Sequence, residues 1–171
     1  MAKILKNGAV VRDTWIRFDA AAAESLAGGW HDDGTLPPGG LIVPLAVWLE
    51  HREALRFYPR TGVLLAPGDD PALLAPDLPR LGLVAIDFPK PTDGRGFSTG
   101  RLLRERYGYQ GELRAVGRIL PDQIFFLGRV GFDAFELADE RVNDALAALQ
   151  PFSVAYQGAV DQPPLFLRRV A

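Results

Sequence analysis

The stretch LVAIDFPKPTDGRGFSTGRLLRERYGYQGELRAVG, residues 83–117, decides the fold of this chain. It opens with a short run of mostly apolar residues and closes with a second such run at residues 112–116. Between the two runs, residues 98–107 predict a helix that starts at Ser98, a good N-cap, and stops before Gly108. Strands without polar alternation are usually covered on both faces, which is typical of parallel sheets built from strand-helix-strand units.

The same alternation of short apolar runs and longer amphipathic segments continues on both sides of this stretch. The predicted strands are residues 41–43, 62–66, 83–88, 112–116, 134–137 and 153–156. The predicted helices are residues 45–57, residues 98–107, a segment from Pro121 to near Gly131, and residues 139–149. The pattern therefore predicts an α/β protein of repeated βα units with a mainly parallel sheet.

The length of the chain bears on how the sheet is arranged. A closed (β/α)8 barrel takes about 250 residues, whereas this chain has 171. We therefore favour an open three-layer sandwich, with an incomplete TIM-like barrel as the alternative. Loose alternation over residues 1–20 predicts a short β ribbon, and a Gly/Pro-rich loop follows it. We assign residues 1–40 to an N-terminal appendage and residues 41–171 to an α/β core, together one structural domain.

The composition excludes several kinds of chemistry. The chain contains no cysteine, so thiol redox cycling, thiolate zinc sites and cysteine-ligated iron–sulfur clusters are excluded. The sequence shows no haem, iron–sulfur or metal motif, and its two histidines, His31 and His51, have no third ligand at metal spacing. We predict no metal site. A flavin or a nicotinamide cofactor stays open, because neither needs cysteine, although no diagnostic motif for either is present.

The apolar and charged residues also bear on location and partners. No apolar run reaches the length of about 18 to 20 residues that a membrane span needs, and residues 1–7 turn polar too early for a signal peptide. We therefore expect a cytoplasmic protein without a membrane partner. The formal net charge of −2 gives no reason to expect a nucleic-acid partner.

The charge is distributed unevenly along the chain. Residues 90–118 carry seven basic and three acidic side chains, whereas residues 122–144 carry six acidic and two basic ones. These are either two ordinary solvated surfaces or, for the basic segment, an anion site or a docking face for an acidic partner.

In parallel α/β folds, ligands bind just beyond the carboxyl ends of the strands. The segments at these positions are residues 67–70, 88–98, 117–123 and 136–139. The second segment combines cations, glycines and a predicted helix start, which together suit phosphate, sulfate or a carboxylate. Its candidate anion ligands are Lys90, Gly94, Arg95, Gly96 and Ser98. Alternatively, Asp93 and Ser98 only satisfy backbone donors while the glycines permit tight turns.

The segment 117–123 supplies a second set of candidates, beside the first if consecutive strands are neighbours. Arg118 and Gln123 are further candidates for binding an anion, and Asp122 or Asp93 for moving a proton. An acid after Pro121 can equally well complement a helix dipole. Arg114, in a predicted buried strand, is another candidate anion ligand.

A buried guanidinium needs a partner of opposite charge. For Arg114 we expect that partner to be Asp87, Asp133 or Glu136.

Residues 88–135 read FPKPTDGRGFSTGRLLRERYGYQGELRAVGRILPDQIFFLGRVGFDAF, and they resemble a bacterial family known as domain-of-unknown-function family 934. The shared pattern runs F-P-x-x-x-D-G-R-G-x-S-x-x-R-x-L-R, then G-E-L-R-A-V-G, then D-Q, then R-x-G-F-D-x-F. Two positions depart from it, because Pro91 replaces an aromatic residue and Arg118 stands where an acid is frequent. Members are described as oxidoreductases of sulfite reduction, because their genes lie beside that of the sulfite reductase haemoprotein.

The resemblance implies an accessory protein of assimilatory sulfite reduction that binds an oxyanion, or an acidic redox partner, through an Arg-rich loop. Sulfite reductase or its electron donor would be the partner protein. Two alternatives stay open. One is a small-molecule enzyme, an oxidoreductase acting on an anionic substrate, and the other is a protein-binding scaffold, which would show an exposed apolar patch.

Overall fold

The computed structural model describes residues 3–18, 40–58, 60–149 and 158–162. Its strands are β1 (Lys3–Lys6), β2 (Ala9–Arg12), β3 (Trp15–Arg17), β4 (Gly40–Pro44), β5 (Thr61–Leu65), β6 (Leu83–Phe88), β7 (Glu112–Gly117) and β8 (Ala134–Phe135). Its α-helices are α1 (Leu45–Glu50), α2 (Arg52–Leu55), α3 (Arg95–Glu105), α4 (Ile124–Arg129) and α5 (Val142–Ala148). Short 3₁₀ helices span Pro71–Leu74, Pro121–Gln123 and Asp139–Arg141.

The described strands form one sheet in the order β2-β1-β8-β7-β6-β5-β4-β3. Neighbours from β3 to β8 pair in parallel, whereas β1 runs antiparallel to both β8 and β2. The α/β class with a mainly parallel sheet is thus confirmed. The N-terminal ribbon is also present as β1 and β2, and residues 3–17 contribute three strands to the same sheet as the core.

Most predicted elements are present, with shifted boundaries. The strand predicted at residues 83–88 matches β6 throughout, and the one predicted at residues 153–156 lies outside the described residues. The helix predicted over residues 45–57 divides into α1 and α2, because His51 leaves helical geometry with φ −109° and ψ 22°. The last two predicted helices each begin with a 3₁₀ turn before α4 and α5.

The sheet is curled, and the connection between β2 and β3 requires this. These two strands are its opposite edges, yet only Asp13 and Thr14 separate them in the chain. Eight strands laid flat would hold their edges about 34 Å apart, while so short a link spans about 10 Å. The sheet therefore curls until its two edges lie near each other, which corresponds to the incomplete barrel that the sequence left as the alternative.

The two faces of the curled sheet pack against different parts of the protein. One face packs against the helices and forms the main core, where Val84, Leu113 and Phe135 meet helix residues such as Leu103 and Leu127. The other face holds a small cluster of strand residues. That cluster comprises Ile42, Leu83, Ala85 and Val116, with Trp15 and Leu64 packed against it. We call this second face the concave face.

Trp15 fills the concave face near the amino ends of the strands. A Cβ at Gly40 would overlap the indole ring, and one at Gly82 would lie 3.3 Å from it. The Arg60 guanidinium lies over the ring at 5.3 Å from its centroid. The two glycines therefore leave space for the Trp15 ring at this end of the sheet.

The described residues include no helix with the length and apolar character that crossing a bilayer requires.

Candidate functional site

A cavity of about 390 Å³ lies at the carboxyl ends of β7 and β8. This is the end of a parallel sheet where α/β proteins bind ligands. The lining residues are Pro91, Gly117, Arg118, Ile119, Leu120, Glu136, Leu137, Ala138 and Arg141. The wall thus draws on three of the four strand-end segments that the sequence singled out, and it adds Arg141.

The segments 88–98 and 117–123 lie side by side, as predicted for consecutive neighbouring strands. Phe88 is paired with Gly117 in the sheet, and the Arg118 N–H donates to the Phe88 carbonyl at 2.7 Å. Gln123 then joins the two loops through its side chain. Its amide nitrogen donates to the Pro91 carbonyl at 2.7 Å, and its amide oxygen accepts from the Leu120 N–H at 3.0 Å. Gln123 therefore holds the cavity wall together.

Gly117 permits the close approach of these two strand ends. Its φ of 93° lies in the left-handed region that favours glycine. A Cβ here would lie 2.6 Å from both Asp87 Oδ1 and the Phe88 carbonyl oxygen. A larger residue would thus force β6 and β7 apart at the cavity.

Two arginines on the cavity wall are unpaired within the part of the chain that the structure describes. Arg118 and Arg141 are both exposed, and neither forms an ion pair or side-chain hydrogen bond with another described residue. A guanidinium offers five N–H donors in a planar fork that matches an oxyanion. The wall therefore presents two positive groups whose donors are available to a ligand.

An acidic group faces these arginines from the end of β8. Glu136 lines the cavity and accepts a hydrogen bond from Arg17 at the end of β3, so this pair crosses the concave face. Asp87 lies near both. Burial raises the pKa of the Asp87 carboxyl, Arg17 opposes that rise, and the Glu136 charge adds to it. The wall thus presents two cations that have no ion pair among the described residues. Asp87 is not a lining residue, but it lies near Glu136 and holds its proton more tightly than usual.

The loop that the sequence favoured as an anion seat is organised differently. Arg95 Nε and Nη2 donate to the Asp93 carboxylate at 2.9 and 2.6 Å, and the Arg95 N–H also donates to it at 3.2 Å. These contacts lower the pKa of Asp93 to about 2. The Asp93 carboxylate thus binds the Arg95 guanidinium, for which the sequence predicted an external anion. Arg95 is also not among the lining residues of the cavity.

Helix α3 begins at Arg95, so the prediction that Ser98 is its N-cap was wrong. Because Asp93 already accepts the Arg95 N–H, helical geometry starts three residues earlier, and Ser98 lies exposed in the first turn. Gly94 occupies the N-cap position at φ −83°, which does not require glycine. Gly96 is buried, and a Cβ there would overlap the Phe88 ring.

Arg114 is buried on the concave face, with 1% of its side chain exposed. The predicted partners were wrong, because Arg114 pairs with Asp13 at 2.8 Å and, through Nε, with Glu112 at 2.8 Å. Its Nη2 lies 2.6 Å from Glu112 Oε1 but is not aligned for a hydrogen bond. Lys6 Nζ donates to the second oxygen of Glu112 at 2.6 Å. We call Lys6, Glu112, Arg114 and Asp13 the buried ion network.

Asp133, one of the expected partners of Arg114, instead pairs with Arg104. Arg104 also donates to the carbonyls of Tyr109, Gly111 and Gly131. These contacts attach the end of α3 to the loops beside β7 and β8.

The remaining predicted residues stand outside the cavity wall. Asp122 is exposed in the 3₁₀ turn after β7, and Lys90 is exposed near Asp93, whose pKa it helps to lower. The described residues contain no group of three or more histidine or acidic side chains placed to hold a metal ion.

Sequence reasoning missed Arg17 and Arg141 as site residues. It placed Glu136 in a strand-end segment but named it only as a possible partner of Arg114. The signal for Glu136 was its position directly after the strand at residues 134–135. No comparable signal existed for Arg17, because its place opposite Glu136 depends on the curl of the sheet.

A comparison with known protein families shows to which family the chain belongs. A family model described as a bacterial protein of unknown function, DUF934, matches residues 62–166, which is more than half of the chain. The protein belongs to this family. No curated protein matches the sequence. The matched region contains the loop at residues 88–98 and every lining residue of the cavity.

Proposed function

We propose that the protein binds a small oxyanion in the cavity at the carboxyl ends of β7 and β8, as an accessory protein of sulfite reduction. The observation that carries this proposal is that Arg118 and Arg141, both on the cavity wall, have no ion pair with any residue that the structure describes. An oxyanion placed there receives charge-assisted hydrogen bonds without breaking an existing ion pair. The resemblance of residues 88–135 supplies the pathway, and sulfite or sulfate is then the natural anion to test.

The basic segment supports an anion site better than a docking face for an acidic partner. Most of its cations already have local partners: Arg95 pairs with Asp93, Arg101 with Glu105, Arg104 with Asp133, and Arg114 with Asp13 and Glu112. Charges that are paired in this way partly cancel, so they contribute less to the field around a protein. Arg118 is left at the cavity, where a small ligand can reach it.

The binding experiment uses calorimetric titration of the purified protein with sulfite, sulfate and phosphate at low ionic strength, where screening is weak. We expect Arg118→Ala and Arg141→Ala each to weaken binding by about 10- to 100-fold, since a hydrogen bond to a charged group contributes about 1.5–3 kcal/mol. Arg101→Ala is the matched control, because this arginine is exposed on α3 and paired with Glu105. Equal affinity of all variants would contradict the cavity site.

The pathway is tested in cells that lack the gene. We expect slow growth with sulfate or sulfite as the only sulfur source, normal growth with cysteine, and rescue by the unaltered gene but not by Arg118→Ala. Unchanged growth on all three sulfur sources would contradict a role in sulfite reduction. Co-purification with sulfite reductase from the same cells tests whether the protein acts beside that enzyme.

A second candidate function, an enzyme acting on an anionic substrate, is favoured by Asp87. A carboxyl whose pKa is raised by burial, near Glu136 of the cavity wall, is a candidate for general acid–base catalysis. In that case Asp87→Asn retains anion binding in the titration but does not restore growth. Full rescue of growth by Asp87→Asn would contradict the enzymatic function, and oxyanion binding would be the remaining candidate function.

A further inference from the structure

The cavity is larger than the inorganic anion that its two arginines would bind. Its volume is about 390 Å³, whereas a water molecule takes about 30 Å³ in the liquid. A tetrahedral oxyanion has only four or five heavy atoms, so it would leave most of this space to solvent. A volume of this size lies within the range of about 300–1,000 Å³ that pockets for small organic ligands occupy.

The wall of the cavity is divided by chemistry. Arg118 and Arg141 supply positive charge, while most of the remaining lining is apolar. The apolar lining residues are Pro91, Ile119, Leu120, Leu137 and Ala138. Burial of apolar ligand surface against such residues is favourable in proportion to the area removed from water. An inorganic anion would gain nothing from this part of the wall.

Glu136, the acidic residue among the described residues of the lining, does not oppose an anionic ligand strongly. Glu136 is paired with Arg17 across the concave face, so its charge is already balanced by a cation from another strand. The lining side chains and Arg17 together therefore leave an excess of positive charge beside an apolar surface.

We infer that the cavity takes an organic anion, in which an oxyanion head group meets Arg118 and Arg141 and an apolar body lies against Leu120 and Leu137. Sulfonates, sulfate esters and carboxylates of a few carbon atoms share this chemistry. The inference rests on the proposed function, because it concerns the same cavity and the same two arginines. It names a ligand class that inorganic sulfite and sulfate do not represent.

The experiment compares sulfate with methane-, ethane-, butane- and hexanesulfonate by calorimetric titration. Because each buried methylene strengthens binding, we expect the affinity to rise about fourfold per methylene until the cavity is filled. Arg118→Ala is expected to weaken every member of the series at least tenfold. Equal affinities of sulfate and hexanesulfonate would overturn the organic-anion inference and leave the proposed function intact, whereas no binding of any member would overturn both.

A variant that fills part of the cavity tests the binding of the apolar body separately from the binding of the head group. Ala138 is exposed on the cavity wall, so Ala138→Phe fills space there without altering the core. We expect hexanesulfonate to bind at least tenfold more weakly while methanesulfonate changes by less than about twofold. Ala46→Phe, on the exposed side of α1, is the matched control and should change neither. Equal losses for both sulfonates would overturn the inference.

Discussion

The two ends of the concave face treat their charged residues in opposite ways. Toward the amino ends of the strands, the buried ion network closes upon itself, and Trp15 fills the space between Gly40 and Gly82. At the carboxyl ends, Arg118 and Arg141 line an open cavity without an ion pair among the described residues. The number of cations in a segment therefore indicates little about anion binding, which depends on whether those cations already have acidic partners.

The largest expected effect is at the closed end. Arg114→Ala removes the cation between Asp13 and Glu112 and leaves two largely buried carboxylates without it, so we expect a loss of about 3–5 kcal/mol in the free energy of unfolding. Urea denaturation followed by circular dichroism measures it. Arg118→Ala, at the open end, should change that free energy by less than about 0.5 kcal/mol. If the two variants were equally stable, the contrast between the two ends would be wrong.

A smaller effect is expected from the glycine that faces Trp15. Gly40→Ala places a Cβ in the space of the indole ring, and such overpacking costs about 1–3 kcal/mol. Gly94→Ala is the matched control, because nothing lies within 4 Å of a Cβ there and its φ of −83° suits alanine. Thermal denaturation of both variants should separate them clearly. A melting temperature for Gly40→Ala no lower than for Gly94→Ala would show that the ring is not held in place.

The smallest effect concerns Asp93, whose partner Arg95 lies outside the cavity wall. The pKa of Asp93 is lowered from 3.8 to about 2, because the carboxylate accepts hydrogen bonds from the Arg95 side chain and backbone. Its contribution to stability is therefore present above pH 3.8 and is lost as the pH falls through about 2. Carboxyl-carbon NMR over this range measures the titration. In Arg95→Ala the midpoint should move up toward 3.8, and an unchanged midpoint would contradict the pairing.

The sequence predicted the interior of the sheet well, because each central strand is a short and mostly apolar run. The strand predicted at residues 83–88 coincides with β6. The one predicted at 62–66 is shifted by one residue from β5, and the one predicted at 112–116 lacks only the last residue of β7. Local composition indicates these strands, since burial on both faces favours apolar side chains at most positions.

The contacts that close the sheet could not be predicted from local pattern. Arg114 and its partner Asp13 are 101 positions apart, and Arg17 and Glu136 are 119 apart. Both pairs exist only because the sheet curls, and no run of residues announces that curl. The start of α3 was missed for a local reason, because Asp93 rather than Ser98 satisfies the first free N–H.

The candidate site was therefore predicted in part. The rule that ligands bind at the carboxyl ends of parallel strands led to the loops that hold Arg118 and Glu136. That rule could not show that Arg95 already forms an ion pair with Asp93. Nor could it show that Arg141, which was expected within a helix, lines the cavity. These points depend on which side chains find partners, and only the assembled structure shows that.

The passage of the chain from one edge of the sheet to the other through Asp13 and Thr14 has a consequence for the order of folding. Strand β1 is synthesised early, but β8, with which it pairs antiparallel, begins only at Ala134. At a synthesis rate of about 5–20 residues per second, β1 waits roughly 6–26 s for that neighbour. Residues 3–17 pair with β8 on one side of the core sheet and with β4 on the other. They can connect these two strands only after β8 has been synthesised, so a chain that stops before β8 cannot close its sheet.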